Sequence, residues 1–212
     1  MIFVGSILLG TRGFDWLAEG LEILWIAQPT VVVIFALFLL HVVTALRKVP
    51  AQLRERRRFF ELAGELHRAR KAWHGGDRIT AVAPLSASIL WVWQVRTGII
   101  VGVLGSFHLV LMAMDVFTPL WGERIGIEAV TSMARTGAGL VWVYGLLLVC
   151  VEFHAGVGLY RLAVKWGLGE RLRRETLERL ERFVLWFFLG FGLLILVVLA
   201  GWLPPPLAFL LQ

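Results

Sequence analysis

The run Val151-Glu152-Phe153-His154-Ala155-Gly156-Val157-Gly158 places a histidine and a carboxylate inside an otherwise apolar stretch. Desolvating an unpaired polar group costs several kcal/mol, so both groups require partners or a function. The small residues Ala155, Gly156 and Gly158 leave one helix face bare, which admits something flat and bulky. A metal-bearing macrocycle satisfies both observations, because histidine is a common axial ligand of haem iron. His41 and His108 lie in apolar stretches of the same kind.

The elements that carry these residues follow from composition. The chain has 212 residues, of which 58% are hydrophobic and 17% charged, and its mean hydropathy is +0.78. Soluble domains are nearer half apolar, so this is an all-α integral membrane protein, one helical bundle over residues 1–212. Four stretches reach the roughly 20 residues a span needs: residues 23–46 (from Thr30 at the least), 86–114, 133–164 and 183–203. The apolar opening Ile2 to Leu9 is too short to cross. Pro204-Pro205-Pro206 is expected to end the last helix. The single cysteine, Cys150, excludes a disulfide framework and a cysteine-rich metal site within the chain.

A net charge of +6 would suit nucleic acid if it were spread over a surface. Instead Lys and Arg cluster in two loops, residues 47–85 and 165–182, as membrane orientation requires. No nucleic-acid partner is expected. The positive-inside rule puts both loops in the cytoplasm, with Arg12 and Arg124 among the few cations opposite. Residues 52–70 are expected to form an amphipathic helix on the inner surface, its arginines meeting lipid headgroups or an acidic partner.

Depth separates the histidines. His41 lies six residues before Arg47 and His154 seven before Arg161, so both sit about 10 Å inside the inner boundary. Two histidines at one level on neighbouring helices can hold one haem between them. His108 lies twelve residues beyond Arg96, about 18 Å further out, and belongs to a second layer. A lone membrane histidine is as often a hydrogen-bonding residue between helices, but three in four helices, two of them level, favour ligands. His67 and His74 fall in the basic loop and read as solvated. Gly98, Gly102 and Gly105 fit either close helix packing or room for a porphyrin.

These residues resemble a family. Glu152-Phe153-His154 followed by Gly158-Leu159-Tyr160-Arg161-Leu162-Ala163-Val164-Lys165-Trp166-Gly167 is similar to the di-haem cytochrome b anchors of quinol:fumarate reductases and succinate:quinone oxidoreductases. So are His41 with Ala45-Leu46-Arg47-Lys48-Val49-Pro50, and Leu104-Gly105-Ser106-Phe107-His108-Leu109. The resemblance covers Phe3 to about Gly167 and weakens in the last helix. It implies that His41 and His154 ligate a proximal haem b and His108 a distal one. It implies that Trp91 and Lys165 hold haem propionates, that Glu22 serves a menaquinol site, and that Glu152 carries protons across the membrane. The implied partners are an iron–sulfur subunit and a flavoprotein subunit in the cell inner membrane, with a dimer of such heterotrimers as one arrangement.

The family has a further helix ahead of these four, whose histidine completes the distal haem. No histidine precedes His41 here, so that ligand is expected upstream of Met1, and the resemblance makes residues 1–20 the tail of that helix and an outer loop. A one-haem form and a different axial ligand are the alternatives. The chain carries neither a flavin fingerprint nor a cysteine cluster, so fumarate chemistry would belong to other subunits. The other classes are a haem-b anchor of a hydrogenase or formate dehydrogenase, the same wiring run from succinate to quinone, and a transporter or scaffold with structural histidines.

Overall fold

The computed structural model describes residues 2–73, 86–121, 128–167 and 174–211. His74, Arg124 and much of the two basic loops lie outside the described residues, and nothing is described of the His67 side chain. The chain is 88% helical, with no strand among the described residues. A short helix α1 (Ile2–Gly5) runs through a 3-10 turn (Ser6–Leu9) into α2 (Thr11–Ile23). Three long helices follow: α3 (Ala27–Trp73), α4 (Ser86–Phe117) and, after the short α5 (Ala129–Arg135) and a π turn (Thr136–Leu140), α6 (Val141–Lys165). Helix α7 (Arg174–Leu199) and a last 3-10 turn (Ala208–Leu211) complete the described chain.

Four helices are long and apolar enough to span a bilayer: Pro29–Glu55, Leu90–Asp115, Ala129–Lys165 and Arg179–Leu199. Their apolar side chains largely face outward. Val31, Val32, Ile34 and Leu40 on α3 are each more than half exposed. In water that surface would drive aggregation, whereas in hydrocarbon it is the solvated face. The principal seams run between α4 and α6 and between α6 and α7, and α3 meets the other described helices sparsely.

The enclosed core lies at the end away from the basic segments. There Ile7, Leu8 and Phe14 pack with Ala129, Ile195, Val198 and Leu199. The apolar opening of the chain therefore covers the end of α7, and the Leu207 N–H donates to the Leu8 carbonyl at 2.9 Å. Asp15 ties α2 to α5, its Oδ1 accepting the Ala129 N–H at 2.8 Å. That bond satisfies one of the donors a helix N-terminus leaves free. At the same end, Asp115 of α4 and Arg135 of α5 form a buried ion pair.

Two boundaries differ from expectation. Residues 52–70 do not form a separate surface helix, because α3 runs unbroken through Pro50 to Trp73. At 1.5 Å per residue, α3 is about 70 Å long, and residues 56–73 continue about 27 Å past its span. A proline removes one backbone donor and crowds the preceding turn; here the flanking turns hold the helix through it. The end of α7 is set by glycine and not by the proline run. Gly201 adopts φ +72°, its N–H bonds Val198 at 3.0 Å, and the Trp202 N–H bonds Val197 at 3.1 Å. This left-handed cap satisfies the terminal carbonyls before Pro204 is reached.

Candidate functional site

Helix α3 carries His41 at an exposed position, and α6 carries His154 half-buried. The two rings face each other with centroids 6.0 Å apart and planes at 86°. A metal bound by both, at about 2 Å per metal–imidazole bond, with the half-widths of the two rings, needs a spacing of this order. Beside the pair opens a cavity of about 550 Å³, lined by α3 from His41 to Gln52, by α4 from Trp91 to Val103, and by His154. The lining is mostly apolar, as cofactor pockets are. Among the described residues no three His, Cys, Asp or Glu side chains gather as a metal cage. A pair of imidazoles suits an iron whose other ligands belong to a macrocycle.

The glycines separate by what they face. Gly102 has nothing within 4 Å of where a Cβ would stand, and it lines the cavity. Gly105 faces Phe38 of α3 at an ordinary 3.7 Å. At Gly98 a Cβ would meet the His154 ring. Gly156 is buried, with Leu185 of α7 at 3.3 Å from its Cβ position. The face of α6 at Gly156 is thus closed by a helix, and Gly156 is a packing residue and no part of this cavity.

Polar groups line the end of the cavity nearer the basic segments. Trp91 is 4% exposed and borders the cavity, as does Lys48. Lys165 ends α6 at an exposed position and does not line this cavity. Lys48 is taken from the sequence only as part of a motif and not as a site residue, although the signal is there: it follows His41 by seven residues, which returns it to nearly the same helix face. Gln94 was missed as well. Its carbonyl oxygen lies 2.9 Å from His154 Nδ1, and its side-chain oxygen accepts Arg161 Nη1 at 2.8 Å.

His108 is further along α4, its ring 5.3 Å from that of Tyr144 in an edge-on contact. Its Nδ1 is enclosed and has no hydrogen-bond partner. A ring nitrogen withheld from both water and protein fits a histidine of ligand type better than one that merely joins helices. Glu152 is half-buried on α6. Glu22, next to the end of α2, is exposed, and the turn that follows it holds Trp25 at φ +53°. The structure brings His41 and His154 together and sets Trp91, Gly98 and Gly102 beside them. Glu22, His108 and Glu152 stand apart from that cavity.

Fold and site define a multi-pass membrane helical bundle with imidazoles from two spans paired beside an apolar cavity. No protein-family model matches the chain, but curated relatives do. The fumarate reductase cytochrome b subunit of Wolinella succinogenes is 34% identical over 92% of this chain and 71% of its own length. The subunit of the same name from two strains of Helicobacter pylori is 29% identical over 91% of this chain and 69% of its own. The chain belongs to the family of fumarate reductase cytochrome b subunits.

Proposed function

We propose that the chain is the membrane anchor and electron-transfer subunit of a fumarate reductase, linking menaquinol to an iron–sulfur subunit through two b haems, with a flavoprotein subunit beyond. The observation that carries the reading is the facing of His41 and His154 at 6.0 Å beside an apolar cavity. A b haem bound there supplies a one-electron iron couple that a thiol-poor helical bundle lacks. His41 and His154 would hold the inner haem, and His108 would be one ligand of the outer one. Lys48 and Trp91 at the cavity, with Lys165 at the end of α6, suit negatively charged propionates.

Oxidation of one quinol releases two electrons and two protons. Glu22 takes a proton from the ring hydroxyl, and Glu152 passes protons through the bilayer alongside the electrons. A carboxylate inside a membrane is costly unless it is used or neutralised, which favours a role for Glu152. The positive-inside rule puts the basic segments and the iron–sulfur partner in the cytoplasm, with the chain in the inner membrane. Electron flow from succinate to quinone uses the same parts in reverse.

The test is spectroscopic. The purified complex should show the sharp reduced α-band of bis-histidine haem. His41→Ala and His154→Ala should each remove the same haem, since both side chains would hold its iron. Loss of two spectrally different haems would disprove the pairing. A wild-type spectrum without haem would leave a plain scaffold.

A further inference from the structure

We infer that Gly98 and Gln94 form a seat on α4 that selects the tautomer of His154 and fixes the plane of its ring, which makes both of them positioning residues for the inner haem. The inference rests on the reading of His154 as an axial ligand.

The first observation is the contact between His154 Nδ1 and the Gln94 carbonyl at 2.9 Å. A carbonyl oxygen only accepts, so the proton of a neutral ring must be on Nδ1. That leaves the lone pair on Nε2, the nitrogen further from α4. Within a helix, one lone pair of the Gln94 carbonyl serves the N–H four residues on, and the ring takes the second. The Thr97 hydroxyl is also near this oxygen, at 3.1 Å, but the Trp93 carbonyl at 2.9 Å is its closer acceptor.

The second observation explains why the ring can reach that carbonyl. Position 98 is one turn beyond position 94, directly over the oxygen. A Cβ there would lie 2.7 Å from His154 Cε1 and 2.9 Å from Nδ1. Those atoms belong to a rigid ring held at its other side, so only glycine permits the approach. The vacant volume at Gly98 is therefore filled by the histidine, in contrast to Gly102, which borders the cavity.

The third observation fixes the seat against sliding. Arg161 is two turns beyond His154 on the same face of α6, and its Nη1 donates to Gln94 Oε1 at 2.8 Å. Between the two, a Cβ at Gly158 would come within 3.0 Å of Gln94 Nε2. One residue of α4 thus meets α6 at two heights, through its backbone at His154 and its side chain at Arg161. Outer partners of this kind orient a ligating histidine and raise its basicity, and losing them typically costs about 10–100-fold in metal affinity or activity. A more basic imidazole favours the ferric state, so releasing the seat should raise the potential of the inner haem.

Three measurements on the complete complex test this. In wild-type protein in lipid with 15N-labelled histidine, the signal absent from His154→Gln should report a protonated Nδ1. Gly98→Ala should raise the potential of the inner haem by about 59 mV, a tenfold change in its one-electron equilibrium, and shift its electron paramagnetic resonance signal, while the outer haem keeps both. Gln94→Leu should act in the same direction less strongly, and Gln94→Glu, which retains an acceptor for Arg161, should restore wild-type values. If Gly98→Ala does not assemble, the Gln94 pair decides. A proton on Nε2, or haem bound with unchanged potential and resonance in these variants, overturns the seat alone. Wild-type protein with no haem at His41 and His154 overturns the ligand reading beneath it.

Discussion

Asp115 of α4 and Arg135 of α5 form an ion pair whose side chains are 1% and 6% exposed, and they lock the end of one span to the start of the next. Breaking such a pair leaves a buried charge without its counter-ion, at about 3–5 kcal/mol. Asp115→Ala and Arg135→Ala should each lower the unfolding temperature of the detergent-solubilised protein clearly. Asp115→Leu combined with Arg135→Met removes both charges and should recover much of the loss. A double variant as unstable as either single one would show that the pair matters through something other than mutual neutralisation.

Gly102→Leu should separate folding from cofactor retention. Leucine is a better helix former than glycine by roughly 0.5–1 kcal/mol, and no atom stands within 4 Å of its Cβ position. The branched side chain then projects into the cavity beside His41 and His154. Helix content by circular dichroism should be maintained while the inner haem is lost from the absorption spectrum. Full haem content would place the cofactor elsewhere.

Glu22→Gln keeps the shape of the side chain and removes its basicity. Quinol oxidation needs a proton acceptor within hydrogen-bond reach of the ring hydroxyl. Quinol-driven fumarate reduction by the complex should fall by a factor of about 100 or more, the range for a lost general base. Haem content and fumarate reduction with an artificial donor should persist. Undiminished quinol activity would make Glu22 an ordinary interfacial carboxylate.

Glu152 is two residues before His154 and so about 200° round α6 from it, which turns its carboxyl away from that ring. Glu152→Gln should leave both haem spectra intact and slow menaquinol-to-fumarate turnover at least tenfold. Wild-type turnover in sealed proteoliposomes would assign the carboxyl to helix packing.

The spans were legible because hydropathy over 20 residues is a property of sequence alone, and the depth of His41 and His154 followed from their spacing to Arg47 and Arg161. Helix ends were less so. The sequence predicts a separate helix over residues 52–70 and an end to the last helix at Pro204-Pro205-Pro206, whereas α3 runs unbroken through Pro50 and Gly201 is the cap. Backbone partners are the least legible of all. Nothing in the residue types says that His154 meets the carbonyl of Gln94, sixty positions earlier, or that Asp15 caps a helix beginning at Ala129. Gly156 and Gly102 have the same composition signal and opposite surroundings, Leu185 standing against the one and nothing within 4 Å of the other, because which helix covers a bare face is decided by packing across the bundle.

The sparse contacts of α3 give it an unusual thermodynamic standing. A group held by His41 and His154 together would also fasten α3 to α6, so its binding free energy would at the same time be docking energy for a whole transmembrane helix. A ligand that binds only the assembled form stabilises it by about 2.7 kcal/mol at a hundred times its dissociation constant. Insertion of such a group and closure of the bundle would then constitute one cooperative transition, with the cofactor as mortar, not cargo.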